Sequence, residues 1–194
     1  MQTAVFQKPK KGNYICGDSY FFEETDDGYI CAIADGLGSG EMAKESSQVA
    51  INVIKDAAND PPEKILRDIN LALAGKRGVV IGVLKLDYTN GIFSFLSVGN
   101  IGLVAINAEH RKIRHISNAG YLAGYQRTFK FEEKKLEPEM NFLLFSDGVS
   151  ERELSKDYMV TTDVQDLITL YSHLSSEIKT DDTTLIAIRY EDDD

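Results

Sequence analysis

The chain has no tryptophan, two cysteines and four prolines among its 194 residues. Cys16 and Cys31 lie in strand-like apolar runs without Cys-x-x-Cys spacing, which argues against a disulfide framework and predicts free, buried thiols. With no Pro-rich hinge, low-complexity linker or internal repeat, the simplest division is one domain over residues 1–190 and a solvated acidic tail over 191–194. No apolar stretch approaches the roughly 20 residues that span a bilayer. The N-terminus, Met1-Gln-Thr-Ala-Val-Phe-Gln-Lys, has no apolar signal core, so the expected location is the cytoplasm. Positive charge is also scarce: 21 Lys and Arg face 31 Asp and Glu, a net charge of −10. That balance argues against nucleic-acid or anionic-membrane partners, which are held through basic patches. It makes cation binding unsurprising without proving it.

What is present is a globular pattern, 43% apolar, long enough to bury a substantial core. Two apolar runs end in Asp-Gly: Tyr29 to Ala34 ends at Asp35-Gly36, and Phe142 to Ser146 ends at Asp147-Gly148. Such short apolar runs read as buried strands. A third Asp-Gly, Asp27-Gly28, sits among Glu, Thr and Asp between two strands and reads as an ordinary hairpin turn. Position, not the dipeptide, carries the signal.

Strands are predicted at 14–22, 29–34, 78–87, 92–99, 101–107, 112–116, 128–133, 142–146 and 184–189. Helices are predicted from Glu41 to Ala58, capped by Ser39 or Gly40, after Pro61-Pro62, and near 163–176. Many adjacent strands are joined by short turns. The fold class is therefore α+β with antiparallel sheet, its surfaces covered by two early helices and one late one.

Asp18, Asp35, Asp147 and Asp181 all fall at strand edges or mouths. A desolvated carboxylate is costly without a partner, and carboxylates from distant parts of the chain suggest a shared one. Hard cations such as Mg²⁺ and Mn²⁺ take carboxylate, carbonyl and water oxygens. Asp and Gly are also turn residues, so on spacing alone simple turns remain the alternative. The glycine-rich Gly36-Leu-Gly-Ser-Gly40 lacks both Gly-x-Gly-x-x-Gly and Gly-Lys-Ser/Thr spacing, and Asp35 at its entry would repel phosphate unless a metal intervened. Direct nucleotide binding is not expected. His110, His115 and His173 are scattered, which suits surface or packing roles.

Gly17-Asp18, Ala34-Asp-Gly-Leu-Gly-Ser-Gly40, Ser97-Val-Gly-Asn100, Phe145-Ser-Asp-Gly148 and Asp181-Asp-Thr-Thr184 occur in an order that resembles the PPM (type 2C) metal-dependent serine/threonine protein phosphatases. The resemblance covers nearly the whole chain and is to the small SpoIIE-like bacterial branch. Ile15-Cys-Gly-Asp-Ser-Tyr20, Lys76-Arg-Gly78 and Ala119-Gly-Tyr-Leu-Ala-Gly124 resemble the stressosome phosphatases within that branch.

The resemblance implies a central antiparallel β-sandwich flanked by helices in α-β-β-α layers, with two Mn²⁺ or Mg²⁺ ions at one edge. It implies that Asp35 bridges the metals and that the Gly36 carbonyl binds one. Asp147 and Asp181 would ligate the other, Asp18 would reach a metal directly or through water, and Asp182 ranks below Asp181. The same four aspartates would be the catalytic set, with metal-activated water attacking in line and no covalent enzyme intermediate.

Many larger members carry His after the bridging Asp-Gly; this chain has Leu37, so the leaving oxygen would take its proton from a metal-bound or bulk water, or leave less assisted. Lys10, Lys11, Lys76 and Arg77 are candidates for a phosphate-steadying cation. The implied partners are phosphorylated stressosome proteins resembling RsbS and RsbR, in negative feedback on the sigma-B stress response, acted on by a monomer. A pseudophosphatase that grips a partner without turnover is the alternative. A phosphodiesterase acting on nucleic acid fits the metals but not the charge.

Overall fold

In the computed structural model, the described residues are 1–125, 128–150, 154, 163–175 and 179–191. They form ten strands and three helices: β1 (Gln2–Lys8), β2 (Asp18–Thr25), β3 (Gly28–Gly36), α1 (Glu41–Asp56), α2 (Pro62–Ala72), β4 (Val79–Asp87), β5 (Ile92–Val98), β6 (Gly102–Ile106), β7 (Lys112–Arg114), β8 (Glu132–Lys135), β9 (Asn141–Phe145), α3 (Val164–Leu174) and β10 (Thr183–Arg189). Two five-stranded sheets run in the orders β1-β10-β9-β6-β7 and β2-β3-β4-β5-β8. Every pairing between these strands is antiparallel, as the short connections imply. Among the described residues, no helix is long and apolar enough to cross a membrane.

The period-two alternation of the strands sorts their side chains into layers. Cys31, Ile33, Leu84, Leu86, Phe93 and Phe95 of one sheet meet Leu103, Phe142, Leu144, Ile186 and Ile188 of the other in the central core. The intervening residues Ile30, Ala32, Ala34, Ile81, Val83 and Leu96 face outward and are covered by Ala50, Ile51 and Ile54 of α1 and Ile65, Leu66 and Ile69 of α2. On the far side, Leu143, Leu185 and Ala187 pack under Leu167, Ile168 and Tyr171 of α3. The result is the α-β-β-α layering expected of the chain.

The helix termini follow local chemistry. Pro62 opens α2 behind Pro61, and the Asp163 side chain accepts hydrogen bonds from the Gln165 and Asp166 amides to cap α3. At α1, Gly40 is the cap residue, but no side chain caps the helix, so the expected Ser39 cap is not used.

Three local expectations are corrected. The strand expected from residue 14 starts at Asp18, because Asp182 holds the preceding loop by accepting hydrogen bonds from the Lys10 and Gly17 amides. The strand expected at 128–133 becomes 132–135: Asn118 bonds both main-chain groups of Lys130, and the strand that pairs with β5 is the charged edge Glu132-Glu-Lys-Lys135. Charge on an edge strand discourages stray pairing but conceals the strand from a hydrophobicity reading. β1 was not expected, since only Ala4 of its seven residues is fully buried; its partner is β10, nearly the whole chain away. The acidic tail beyond Glu191 lies outside the described residues. Both cysteines are free and buried, as expected.

Phe142 is fully buried and meets Phe93 edge-on with ring centroids 5.0 Å apart. Phe142→Ala should therefore cost about 3–5 kcal/mol of unfolding free energy, measured by urea denaturation. A loss below about 1 kcal/mol would show that the two sheets do not depend on this contact.

Candidate metal centre

The antiparallel registers carry four strand ends to one end of the sandwich. In the β2–β3 ladder Asp18 lies directly opposite Asp35. In the other sheet, Leu185 pairs with Phe145, so the exit of β9 toward Asp147 and the entry to β10 after Asp181 also lie side by side. Ser146 ties the sheets together: its amide donates to the Thr184 carbonyl at 3.0 Å and its hydroxyl donates to Asp18 Oδ2 at 2.8 Å.

The five acidic side chains gathered here are not equivalent. Asp18 is fully buried; its Oδ2 also accepts from the Thr184 hydroxyl at 2.6 Å, while Oδ1 has no partner among the described residues. Desolvation raises its carboxyl to about 6, opposed by the Thr184 and Ser146 hydrogen bonds and assisted by Asp182 and Asp147. Asp35 is half-buried, and its carboxyl is raised to about 8 by desolvation and then by Asp18, Asp147, Asp181 and Asp182. It thus feels all four of the other carboxylates. Asp147 lies at the surface, where Asn100 Nδ2 donates to its Oδ2 at 2.7 Å; partial desolvation and Asp181 push it upward. Asp181 accepts the Asp182 amide at 2.9 Å.

Asp182 is different. Its Oδ1 and Oδ2 accept the amides of Lys10 at 2.8 Å and Gly17 at 2.9 Å, and it is buried. Both oxygens are used in holding the loop before Asp18. This agrees with ranking it below Asp181 as a ligand.

The glycines after the two aspartates have packing reasons. A Cβ on Gly36 would run into the main chain of Ala43, and one on Gly148 would run into Asp182 and Thr183. Close approach of α1 to the end of β3 therefore requires Gly36. The control dipeptide behaves as expected: Thr25 pairs with Gly28, leaving Asp26-Asp27 as a hairpin turn. His110 lies in the β6–β7 turn, His115 packs edge-on against Phe95 at 4.7 Å and His173 is on α3.

The donor set suits a hard divalent cation. All its side-chain donors are carboxylate oxygens, one of them buried without a partner, and no Lys or Arg forms an ion pair with Asp18, Asp35, Asp147 or Asp181 among the described residues. Among those residues no three acid, Cys or His side chains converge tightly enough to enclose an ion unaided. Main-chain carbonyls and water would have to complete a coordination shell, as is usual for Mg²⁺. Sequence reasoning missed the supporting residues. Ser146, Thr184 and Asn100 stood inside the recognised motifs, but only the fold shows which carboxylate each one holds.

A four-layer sandwich with an acidic cluster at one end defines the architecture of the PP2C phosphatases. Residues 25–191 match the family described as Stage II sporulation protein E (SpoIIE), and the chain belongs to that family. It is 34% identical over 150 residues to the phosphoserine phosphatase RsbX of Bacillus subtilis (strain 168), covering 77% of this chain and 75% of that protein. The crystal structure of RsbX in complex with magnesium superposes with a TM-score of 0.87 at 30% identity, covering 97% of this chain and 94% of RsbX. A chain solved in work on the bacterial stressosome, described as a modular system adapted to control secondary messenger signaling, has a TM-score of 0.82 at 22% identity over 95% and 97% of the two chains. The catalytic domain of the serine/threonine phosphatase PstP, in complex with two manganese ions, shares the fold with a TM-score of 0.79 at 14% identity over 98% of each chain. The family, the branch and the likeness to RsbX read from the ordered motifs are borne out.

The raised carboxyls set a pH dependence. Asp35 and Asp18 bind protons more tightly in the folded, metal-free chain than at their ordinary value of 3.8. The folded state then holds more protons than the unfolded one, so stability present below about pH 4 is lost as pH rises through 6 and 8. Divalent cations bind the deprotonated carboxylates and should reverse the trend. Thermal melts in chelator should fall from pH 5 to pH 8, and the upshift given by Mn²⁺ should grow over the same range. A Mn²⁺ shift independent of pH would count against these carboxylates as its site.

Proposed function

We propose that the chain is a divalent-metal-dependent phosphoserine/phosphothreonine protein phosphatase, with residues 1–190 as one catalytic domain. The observation that carries this reading is Asp35: a partly desolvated carboxylate surrounded by four others, with no cation paired to it among the described residues. Asp35, the Gly36 carbonyl, Asp18, Asp147 and Asp181 would hold Mn²⁺ or Mg²⁺, two ions in all. When bound, such ions supply phosphoryl charge neutralisation and an activated water.

The chain's own residues prepare the donors. Ser146 and Thr184 hold one oxygen of Asp18 and leave the other open; Asn100 orients Asp147; Asp182 secures the loop that leads into β2. Hydrogen bonds of this kind fix ligand orientation in metal sites. The environment of the cysteines argues against a thiolate nucleophile. Burial pushes the Cys16 thiol up to about 12 and the Cys31 thiol higher still, so neither supplies a thiolate near neutral pH. In this reading water, rather than a protein side chain, would take the phosphoryl group, with no covalent enzyme intermediate.

The substrates in this reading are phosphorylated stressosome proteins of the RsbS and RsbR kind, whose dephosphorylation feeds back negatively on sigma-B signalling. The identity to RsbX supports it. A cytoplasmic setting and a monomeric enzyme belong to the same proposal, and two buried free thiols suit a reducing compartment.

Purified phosphorylated RsbS- and RsbR-like proteins should release phosphate with Mn²⁺ and not with EDTA. Asp35→Asn and Asp147→Asn should lower turnover on the order of a hundredfold or more while circular dichroism stays native. Undiminished turnover in EDTA, or binding of metal and phosphoprotein without any turnover, would overturn the reading.

A further inference from the structure

A phosphoryl dianion approaching this end of the sandwich meets a net negative surface, so the placement of nearby cations matters. Most are already engaged. Lys44 donates to the Asp18 carbonyl at 2.7 Å, and Lys76 pairs with Glu45 at 2.7 Å. Lys179 is buried against the Tyr171 hydroxyl and the Gly148 carbonyl.

Arg77 is the exception. The β3–β4 register pairs Asp35 with Val80 and Gly36 with Val79, and the Leu37 amide donates to the Gly78 carbonyl at 2.9 Å. Carried one step further, the same register sets Arg77 opposite Gly38, three residues beyond Asp35. Its guanidinium does lie there: Nη1 is 3.4 Å from the Leu37 carbonyl and 2.5 Å from where a Cβ on Gly38 would stand. Gly38 also has φ +103°, a backbone region that favours glycine. The loop after the central carboxylate is thus shaped to admit an arginine. The guanidinium is exposed, makes one long hydrogen bond and has no acidic partner among the described residues. Its remaining N–H groups have no partner among the described residues, and they form the planar fork that matches phosphoryl oxygens.

We propose that Arg77 contacts the substrate, its guanidinium binding phosphoryl oxygens of the incoming phosphoserine or phosphothreonine beside Asp35. This rests on the phosphatase reading above. Beside it, Gly78 brings Leu37 and Tyr121 together: a Cβ there would stand 3.0 Å from Leu37 Cδ1 and 2.5 Å from Tyr121 Cδ2. Both side chains are exposed. Lys10 and Lys11, the other candidates from the sequence, are placed only through their main chains: Lys10 donates its amide to Asp182, and Lys11 donates its amide to the Lys179 carbonyl.

The test compares Arg77→Ala, Arg77→Lys, Lys10→Ala and Lys76→Ala on two substrates, p-nitrophenyl phosphate and a phosphoprotein. It also uses calorimetry of Mn²⁺ and of inorganic phosphate with the Mn²⁺-loaded protein. Arg77→Ala should lower kcat/KM by about 10- to 100-fold on both substrates and weaken inorganic phosphate binding by a similar factor. Arg77→Lys should fall between, Lys10→Ala and Lys76→Ala should match the unmodified protein, and Mn²⁺ affinity should not change. The proposal is overturned if Arg77→Ala binds phosphate normally, if its loss is confined to the phosphoprotein, or if Lys10→Ala takes its place. Should the unmodified protein release no phosphate from either substrate, the phosphatase reading fails, and the phosphate calorimetry still decides the role of Arg77.

Discussion

The rest of the site depends on a repulsion. Asp18 and Asp35 stand directly opposite each other on adjacent antiparallel strands, with Asp147 and Asp181 brought up from the other sheet. Like charges at facing positions destabilise a sheet, and partial burial makes the repulsion stronger. β3 can hold such a residue at its end because it is paired on both sides, with β2 and β4, and packs into cores on both faces. Stability generated along the strands is thus spent at their tips.

That repulsion is distributed unevenly, and the distribution gives each carboxylate its role. Asp182 uses both oxygens on main-chain amides and serves as structure. Asp18 is divided, one oxygen held by two hydroxyls and the other left open inside the fold. Asp35 has no such support among the described residues, and burial and the charges of all its neighbours push its carboxyl upward. Asp147 is braced by a single amide at the surface. A small, hard, doubly charged cation relieves the unsupported members of this set most. The same imbalance makes the metal-free chain sensitive to pH.

The loop that follows Asp35 is shaped by close packing. α1 packs so closely on the end of β3 that Gly36 has no room for a side chain, and this contact sets the path of the loop through Leu37 to Gly40. Where larger relatives of the PPM type carry histidine, the loop presents Leu37 beside Tyr121 and beneath the Arg77 guanidinium. An exposed guanidinium without an acidic partner among the described residues thus stands over the loop that follows Asp35, and that loop also exposes Leu37. That combination favours a phosphorylated protein segment over a nucleic acid, whose repeated phosphates would meet a surface of net negative charge.

Much of this was legible in the chain itself. Apolar runs ending in Asp-Gly and the Pro-led α2 depend on local periodicity and turn chemistry, and each falls where the sequence places it. The ordered motifs also grouped Asp18, Asp35, Asp147 and Asp181, which the fold brings near one another, and the polar surroundings of Asp27-Gly28 marked it as a turn. Local signals did not disclose β1, whose partner is β10 at the other end of the chain, or the charged edge strand β8. Nor could they show that Ser146 and Thr184 hold Asp18, that Asn100 braces Asp147, or that Arg77 comes to rest over Gly38. Those relations join residues far apart in sequence, and only the sheet registers decide which of them meet. The sequence by itself determined which residue types are available and where strands end; the tertiary structure decided which carboxylate is supported, which is exposed to its neighbours and which cation stands over the loop after Asp35, because burial and electrostatic coupling depend on distance in space.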